Sequence, residues 1–284
     1  MTKIANYLLK ERFFLKFFYI IIFLTVMIGF FCNTQIVKAS DRKIGVLYFN
    51  NVTHESVWDW LSKGLSDMLT DDLSQFDVLV CSSHQDIEDL YHKYDLSPIS
   101  AEIDKSLLIQ FSENIDAEVI FFGDFYLSSP SSLILSLKKY DNSIGEITAF
   151  RDFVAGKTDI FDLKEKVILF ILKELNVELS IQDKDKLKKT PTTSLEALSN
   201  YYQCLDFMDK AIVEYEGVDY PSKKLWAEAI EFGERAVAAD PKYAEAYYLL
   251  AEIYNKTHWT IREVNNLNSF IQLVEDNQLK SKDI

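Results

Sequence analysis

KIGVLYFNN (43–51) is the stretch on which the fold turns. Its β-branched and aromatic residues suit a pleated, packed strand. It stops at two asparagines, a residue type that bonds its own backbone in turns. The segments downstream of it set the fold class. Over 55–73, Val57, Trp58, Leu61, Leu65, Met68, Leu69 and Leu73 recur at spacings of three and four, one apolar stripe on a helix. FDVLVCS (76–82) is a short continuous apolar run, the pattern of a buried strand. A polar, helix-compatible stretch runs to Tyr94, Pro98 breaks it, and Ile103, Leu107, Leu108 and Phe111 mark a further helix.

AEVIFFGDFYL (117–127), SLILSLKKY (132–140) and GEITAFRDFV (145–154) are three β-rich runs joined by Ser-Ser-Pro-Ser and by Asp141-Asn142-Ser143, which predicts an antiparallel meander. A helix over 159–175, with Ile160, Val167, Ile168, Ile171 and Leu175, closes the unit. The order β-α-β-α-β-β-β-α predicts an α/β domain over 40–178 with a mixed sheet covered by helices, and 43–51 as its first, central strand.

Ahead of that strand, residues 17–32 form a 16-residue apolar run preceded by Lys3, Lys10, Arg12 and Lys16 and followed by Val37-Lys38-Ala39. A basic flank, a short apolar core and a small-residue site predict a secretory signal over 1–39, cleaved after Ala39. The competing expectation is an uncleaved inner-membrane anchor, since about 17 apolar residues can suffice to span. Either way the basic flank stays inside and residues 40–284 are exported, periplasmic or otherwise extracytoplasmic. Gly29-Phe30-Phe31 before Cys32 is not the sequence that lipidation requires.

Residues 1–39 hold five basic residues and one acidic one, so the rest of a chain of net charge −14 carries −18. Such a surface repels phosphate backbones and anionic headgroups: no nucleic-acid partner is expected, and membrane contact only through the N-terminal segment. Cys81 and Cys204, expected in a strand and a helix of different domains, are read as free thiols rather than a disulfide.

IGVLYFNN, WLSKGLSDMLTDDLSQFDVLVCS, IDAEVIFFGDF and SIGEITAFRDFVAG together, in this order over about 43–175, resemble the domain shared by CsgG-like, TolB N-terminal-like and FlgO-like envelope proteins. The matching features are a strand ending in Phe-x-Asn, a helix with Gly64-Leu65 and Leu69, a strand ending at Gly123, and a further strand opening at Gly145-Glu146. Tyr48 stands where such families often have proline. The long membrane-inserting hairpins of a curli-type pore are absent from the sequence, so pore formation is not expected. The resemblance implies an envelope-associated α/β domain.

Residues 176–193 are polar and charge-mixed without apolar period, and 179–193 is read as a linker. Thr193-Ser194-Leu195-Glu196 is a capping-box start to a helix striped by Leu195, Leu198, Tyr201, Tyr202, Leu205 and Met208. A second helix opens at Pro221-Ser222 and stops at Asp240-Pro241, and a third covers 242–255. Ala229, Ala236, Pro241, Tyr247, Leu250, Ala251 and Tyr254 fall at the spacing of tetratricopeptide repeats, so 194–284 resembles a helical domain of that kind, good over 222–255 and eroded over 261–274. Gly233 stands where that repeat has a large aromatic, with Phe232 one place early. The register puts Glu245, Tyr248, Glu252 and Asn255 on a partner-binding groove, opposite the packing residues Tyr247, Leu250 and Ala251.

Reactive motifs are sparse. His54-Glu55 lacks the second histidine of a zinc-protease helix. His84, Asp86, Glu88, Asp89 and His92 would lie along one helix whose ends are about 12 Å apart, too far for one ion, and are read as a solvated polar face rather than a metal site. No Gly-x-Ser-x-Gly turn and no glycine-rich phosphate cradle occurs. The expectation is a non-enzymatic envelope binding or assembly protein without cofactor or metal, self-associating or meeting a protein partner through the helical groove. The alternative is an extracytoplasmic small-molecule sensor with its ligand at the carboxyl ends of the strands, near Asn50, Asn51 and Asp124.

Overall fold

The computed structural model describes residues 42–53, 55–129, 131–217, 223–257, 269–270 and 272–273. The signal or anchor expected over 1–39, the start expected at Pro221-Ser222 and most of the helix expected over 261–274 lie outside the described residues.

The β-branched and aromatic run ending in two asparagines forms strand β1 (Arg42–Asn51), buried from Ile44 to Phe49. It leads through a 3-10 turn at Ser56–Trp58 into helix α1 (Trp60–Leu73), strand β2 (Leu79–Cys81), helices α2 (His84–Lys93) and α3 (Lys105–Asn114), and strands β3 (Val119–Ser129) and β4 (Ser132–Asp141). Strands β5 (Glu146–Ala149) and β6 (Phe153–Gly156) and helix α4 (Ile160–Glu174) complete this part. Beyond it come α5 (Ile181–Leu187), α6 (Leu195–Gly217), α7 (Lys223–Ala239) and α8 (Ala244–Lys256).

The sheet is mixed, as the sequence order implied. Its path is β2-β1-β3-β4-β5, with β6 also on β4. β1 runs parallel to β2 and β3, while β3, β4, β5 and β6 pair antiparallel. One departure from expectation is that 145–154 is not a single strand. It divides into β5 and β6, which pair with opposite ends of β4. Between them Phe150 turns inward onto Phe170, with ring centroids 4.8 Å apart, and Asp152 accepts a 2.6 Å hydrogen bond from Ser136 Oγ.

The register of β1 against β3 slips between Val46 and Phe49, a bulge that sets Leu47 and Tyr48 on one side of the sheet together and returns Phe49 to the other. Two cores result. One packs Ile44, Val46, Phe49, Phe121, Phe125, Leu135 and Leu137 against α1 and α4. The other packs Leu47, Tyr48, Ile120, Phe122 and Tyr140 against α2 and α3. At the middle of β3, a Cβ on Gly123 would sit 1.9 Å from the carbonyl oxygen of Ser136, so only glycine lets β4 approach there.

The first core runs on into the later helices, taking in Ala197, Leu198, Tyr202, Ala236, Tyr243 and Ala246. Tyr202 of α6 stacks on Trp60 of α1, centroids 6.2 Å apart and planes 13° from parallel. The stretch read as a linker contains α5, started by a capping box in which Ser180 and Asp183 bond each other's backbone, with Leu187 buried at its end. Ser194, rather than Thr193, caps α6 by accepting from the backbone N–H of Ala197. Along α6 and α7, Cys204 lies by Gly233 and Phe207 stacks on Phe232, centroids 5.4 Å apart. A Cβ on Gly233 would fall 2.6 Å from Leu250 of α8, which explains a glycine at that position. Both described cysteines are free thiols, Cys204 buried and Cys81 partly so.

Candidate functional site

Two places concentrate polar side chains. The first is a cleft of about 380 Å³ at the carboxyl end of β1 and over the middle of β3, walled on one side by residues 99–104. The parallel register of β1 and β3 brings Asn50 and Asp124 together there: they are register partners, and Asn50 Nδ2 donates to Asp124 Oδ1 at 3.0 Å and to the carbonyl of Ala101 at 3.0 Å. Lys138, from β4, donates to the other carboxylate oxygen at 2.8 Å. Asn51 borders the cleft but spends its side chain on the turn. Its amide donates to Glu55 O and, at 2.7 Å, to Asp59 Oδ1, and its oxygen accepts from Thr53 N. The cleft floor is Phe122 and Gly123, with Tyr48 beside them.

The second place is a buried ionic cluster where α1, α2 and α6 meet. Lys63 is 4 % exposed. Its ammonium lies 2.9 Å from Glu88, 3.0 Å from Asp209 and 3.1 Å from Asp206. Tyr48, aimed this way by the β1 bulge, donates to Glu88 Oε2 at 2.7 Å. His84 bridges two further carboxylates, Nδ1 lying 3.0 Å from Asp67 and Nε2 3.1 Å from Asp209. Since both ring nitrogens face a carboxylate oxygen, only the imidazolium can donate to both.

The protonation of the cluster is set by those contacts. Burial opposes charge on His84, but the hydrogen bonds to Asp209 and Asp67 and their negative charge carry its pKa up to about 10. Burial likewise opposes charge on Lys63, and Asp209, Asp206 and Glu88 hold its pKa above the ordinary lysine value. Burial raises the pKa of Asp67 despite the His84 bond; Asp209, with both His84 and Lys63 beside it, is held below the usual carboxylate range against its own burial. His84, Glu88 and Asp209 are the group of metal-ligating type found among the described residues, their donor atoms within 4.8 Å of one another. The Lys63 ammonium already sits against both carboxylates and would have to leave before a dication could enter.

The reading of His84, Asp86, Glu88, Asp89 and His92 as one solvated face is therefore corrected. Asp86, Asp89 and His92 are exposed, but Glu88 is 5 % exposed and His84 half-buried. The residues that draw Glu88 inward, Lys63 and Tyr48, come from elsewhere in the chain, so nothing local to α2 announces them.

This cluster makes stability depend on pH with a definite sign. A histidine whose pKa rises from 6.5 unfolded to about 10 folded contributes stability that is complete below pH 6.5 and lost as the pH rises through 10. His84→Gln is expected to cost about 2 kcal/mol near pH 6, through the lost charge-assisted hydrogen bonds. It should also flatten the decline in urea-melt stability between neutral and alkaline pH that is expected of the parent chain.

On α8, Tyr248, Glu252 and Asn255 turn away from the packed face of Leu249, Leu250, Ala251, Ile253 and Tyr254, while Glu245 stands at its edge, its carboxylate acting on Asp71 of α1. Glu245 and Asn255 are exposed, Glu252 lies 3.6 Å from Lys256, and Tyr248 is 51 % exposed with its ring 5.3 Å from Phe270. Tyr247, expected among the packing residues, is half-buried. Asp71 of α1 is pushed up to about 6 by lost solvation and by the carboxylates of Asp67, Asp72 and Glu245.

No family model matches the sequence, and no curated protein matches it. Among solved structures, the LpoB C-terminal domain from Salmonella enterica is similar at 17 % identity and TM-score 0.33, over 42 % of this chain and 83 % of that one. The corresponding domain from Escherichia coli gives 17 % identity and TM-score 0.32 over 42 % and 83 %. A hypothetical protein from Chlamydia trachomatis gives 16 % and 0.27 over 40 % and 69 %.

Proposed function

We propose that this chain is a non-enzymatic binding and assembly protein of a cell envelope, exported by its N-terminal segment. Its α/β part associates in the envelope and its C-terminal helices, read as tetratricopeptide-like, take a protein partner. The observation that carries the reading is the state of the buried cluster. Lys63 is the internal counter-ion of Glu88 and Asp209, and His84 is tied at both nitrogens, so these groups are engaged in holding α1, α2 and α6 together rather than free for acid-base work. The tetratricopeptide reading is supported by the close approach of α6, α7 and α8 at Gly233.

The outward face of α8 carries Glu245 and Glu252, with Tyr248 between them, which favours a basic or polar-aromatic partner. Glu245→Lys with Glu252→Lys is expected to weaken capture of the partner that co-purifies with the full chain from membranes by about ten-fold or more. Undiminished capture would refute the groove.

A second reading, a sensor of small polar molecules, is favoured by the meeting of Asn50 and Asp124 in the cleft. A thermal-shift screen of nucleotides and envelope metabolites separates it from the first. A strong rise in melting temperature with one compound, abolished by Asn50→Ala, would establish it.

A further inference from the structure

The cleft over β1 and β3 spends most of its hydrogen bonds within the chain, and the few left over define what can enter it. Asn50 Nδ2 donates both of its hydrogens, one to Asp124 Oδ1 and one to the Ala101 carbonyl. Both neighbours are oxygen acceptors, so the amide is held in one orientation and its Oδ1 is an acceptor without a donor among the described residues. Lys138 gives one N–H to Asp124 Oδ2 and keeps its others. The rest is committed. The Asn51 side chain serves its turn, the Tyr48 hydroxyl is given to Glu88, and the Ser100 hydroxyl to Ser97.

The charged side chains lining the cleft are Glu102, Asp104, Asp124 and Lys138. Asp124 and Lys138 neutralise each other across 2.8 Å. Asp104 caps α3, accepting from the backbone N–H of Leu107 at the positive end of the helix, and Glu102 stands exposed at the rim. The floor is therefore polar without net charge: an anion placed on it meets Asp124, and a cation meets Lys138. Aromatic stacking is closed off as well. Tyr48 and Phe122 are only 1 % and 7 % exposed, and the Lys138 ammonium lies over the Phe122 ring, 5.9 Å from its centre. The apolar side of the cleft is aliphatic instead, made by Val52, Ile99 and Ile103.

A neutral occupant with hydroxyl groups meets all three conditions, because a hydroxyl both donates and accepts while its carbon skeleton stays apolar. The volume, about 380 Å³, is at the small end of ligand sites. We propose that the cleft binds a small neutral polyhydroxylated molecule, a monosaccharide or a polyol of that size. Its hydroxyls donate to Asn50 Oδ1 and accept from Lys138, and its C–H face packs on Val52, Ile99 and Ile103. The proposal rests on the reading of this cleft as a small-molecule site and names the chemical class of what it takes.

The test is amide NMR titration of the isotope-labelled full chain with glucose and galactose, each beside its amino sugar and its uronate, and with adenosine. A neutral sugar is expected to shift amides within 50–52, 99–104 and 122–124, and its two charged counterparts to bind about ten-fold more weakly or worse. Asn50→Ala should weaken the sugar about ten-fold with circular dichroism unchanged. Lys138→Met leaves Asp124 without its cation, so it should turn the preference toward the amino sugar, whereas loss of a merely structural contact would weaken every compound alike. The proposal is overturned by an absence of shifts with both neutral sugars, by shifts confined to α8, or by a preference that Lys138→Met leaves unchanged. Tighter binding of a charged counterpart or of adenosine to the parent chain also overturns it, while the small-molecule reading of the cleft then stands. That reading falls too if no compound in the thermal-shift screen binds.

Discussion

Lys63→Ala is expected to destabilise the full chain by about 3–5 kcal/mol in urea denaturation, because it leaves the buried Glu88 carboxylate without its ammonium counter-ion. Glu88 is 5 % exposed and would lose the cation that balances it in a setting from which water is excluded. Replacing one partner of such a set costs far more than replacing the whole set, so a compensating change gives a sharp check. In the Lys63→Ala background, Glu88→Gln should recover part of the loss, since it removes the stranded charge, whereas Asp209 still has His84 at 3.1 Å. The deficit should also shrink as the pH falls, as protonation removes the uncompensated charge. A loss below about 1 kcal/mol, the range of solvated surface pairs, would mean that water reaches the cluster and that it does not bind α1 to α6.

Gly123→Ala is expected to be nearly as damaging, by a different route. The added Cβ would fall 1.9 Å from the backbone oxygen of Ser136, and a strand backbone cannot swing aside as a side chain can. β3 and β4 would have to part at the centre of their ladder, where Gly123 faces Leu137 and Asp124 faces Ser136. Overpacking of a close-packed site costs about 1–3 kcal/mol, and a backbone obstacle places this change at or beyond the upper end. The same distortion pulls Asp124 from Asn50, so the cleft should lose its shape along with stability. Melting within a degree or two of the parent chain would show that the strands separate freely there.

Where periodicity is local, the sequence was readable. The apolar run of β1, the stripe of α1, the β3-β4 pairing and α4 all arise from spacings of two or three to four residues within one element. Asn50 and Asp124 were legible as neighbours because β1 and β3 run parallel, but the strand expected to end at Gly123 continues to Ser129, so Asp124 stands at its middle. The division of 145–154 was not, because Phe150 and Asp152 continue a β-rich run and only the positions of Phe170 and Ser136 turn it aside. The ionic cluster was hidden by distance along the chain, as Asp209 stands 146 residues from Lys63 and 125 from His84. A clue did exist on α1. Ser62, Gly64 and Ser66 are small residues on faces away from the Leu61-Leu65-Leu69 stripe, and all are buried. A Cβ on Gly64 would meet the Tyr202 ring at 2.9 Å, so those small positions mark where α1 meets other packed elements.

The extra residue in β1 makes the side-chain order of that strand depend on its bulge. A regular strand alternates its sides strictly, so the same sequence drawn straight, without the bulge at Leu47 and Tyr48, would exchange the sides of Tyr48 and of every later residue of the strand. Phe49 would leave the core it fills, Asn50 would be driven into it, and the Tyr48 hydroxyl would no longer reach Glu88. The irregularity thus works as a phase setter: one surplus amino acid decides which side chains look toward α1 and which toward α2, and so fixes the entrance of the cleft.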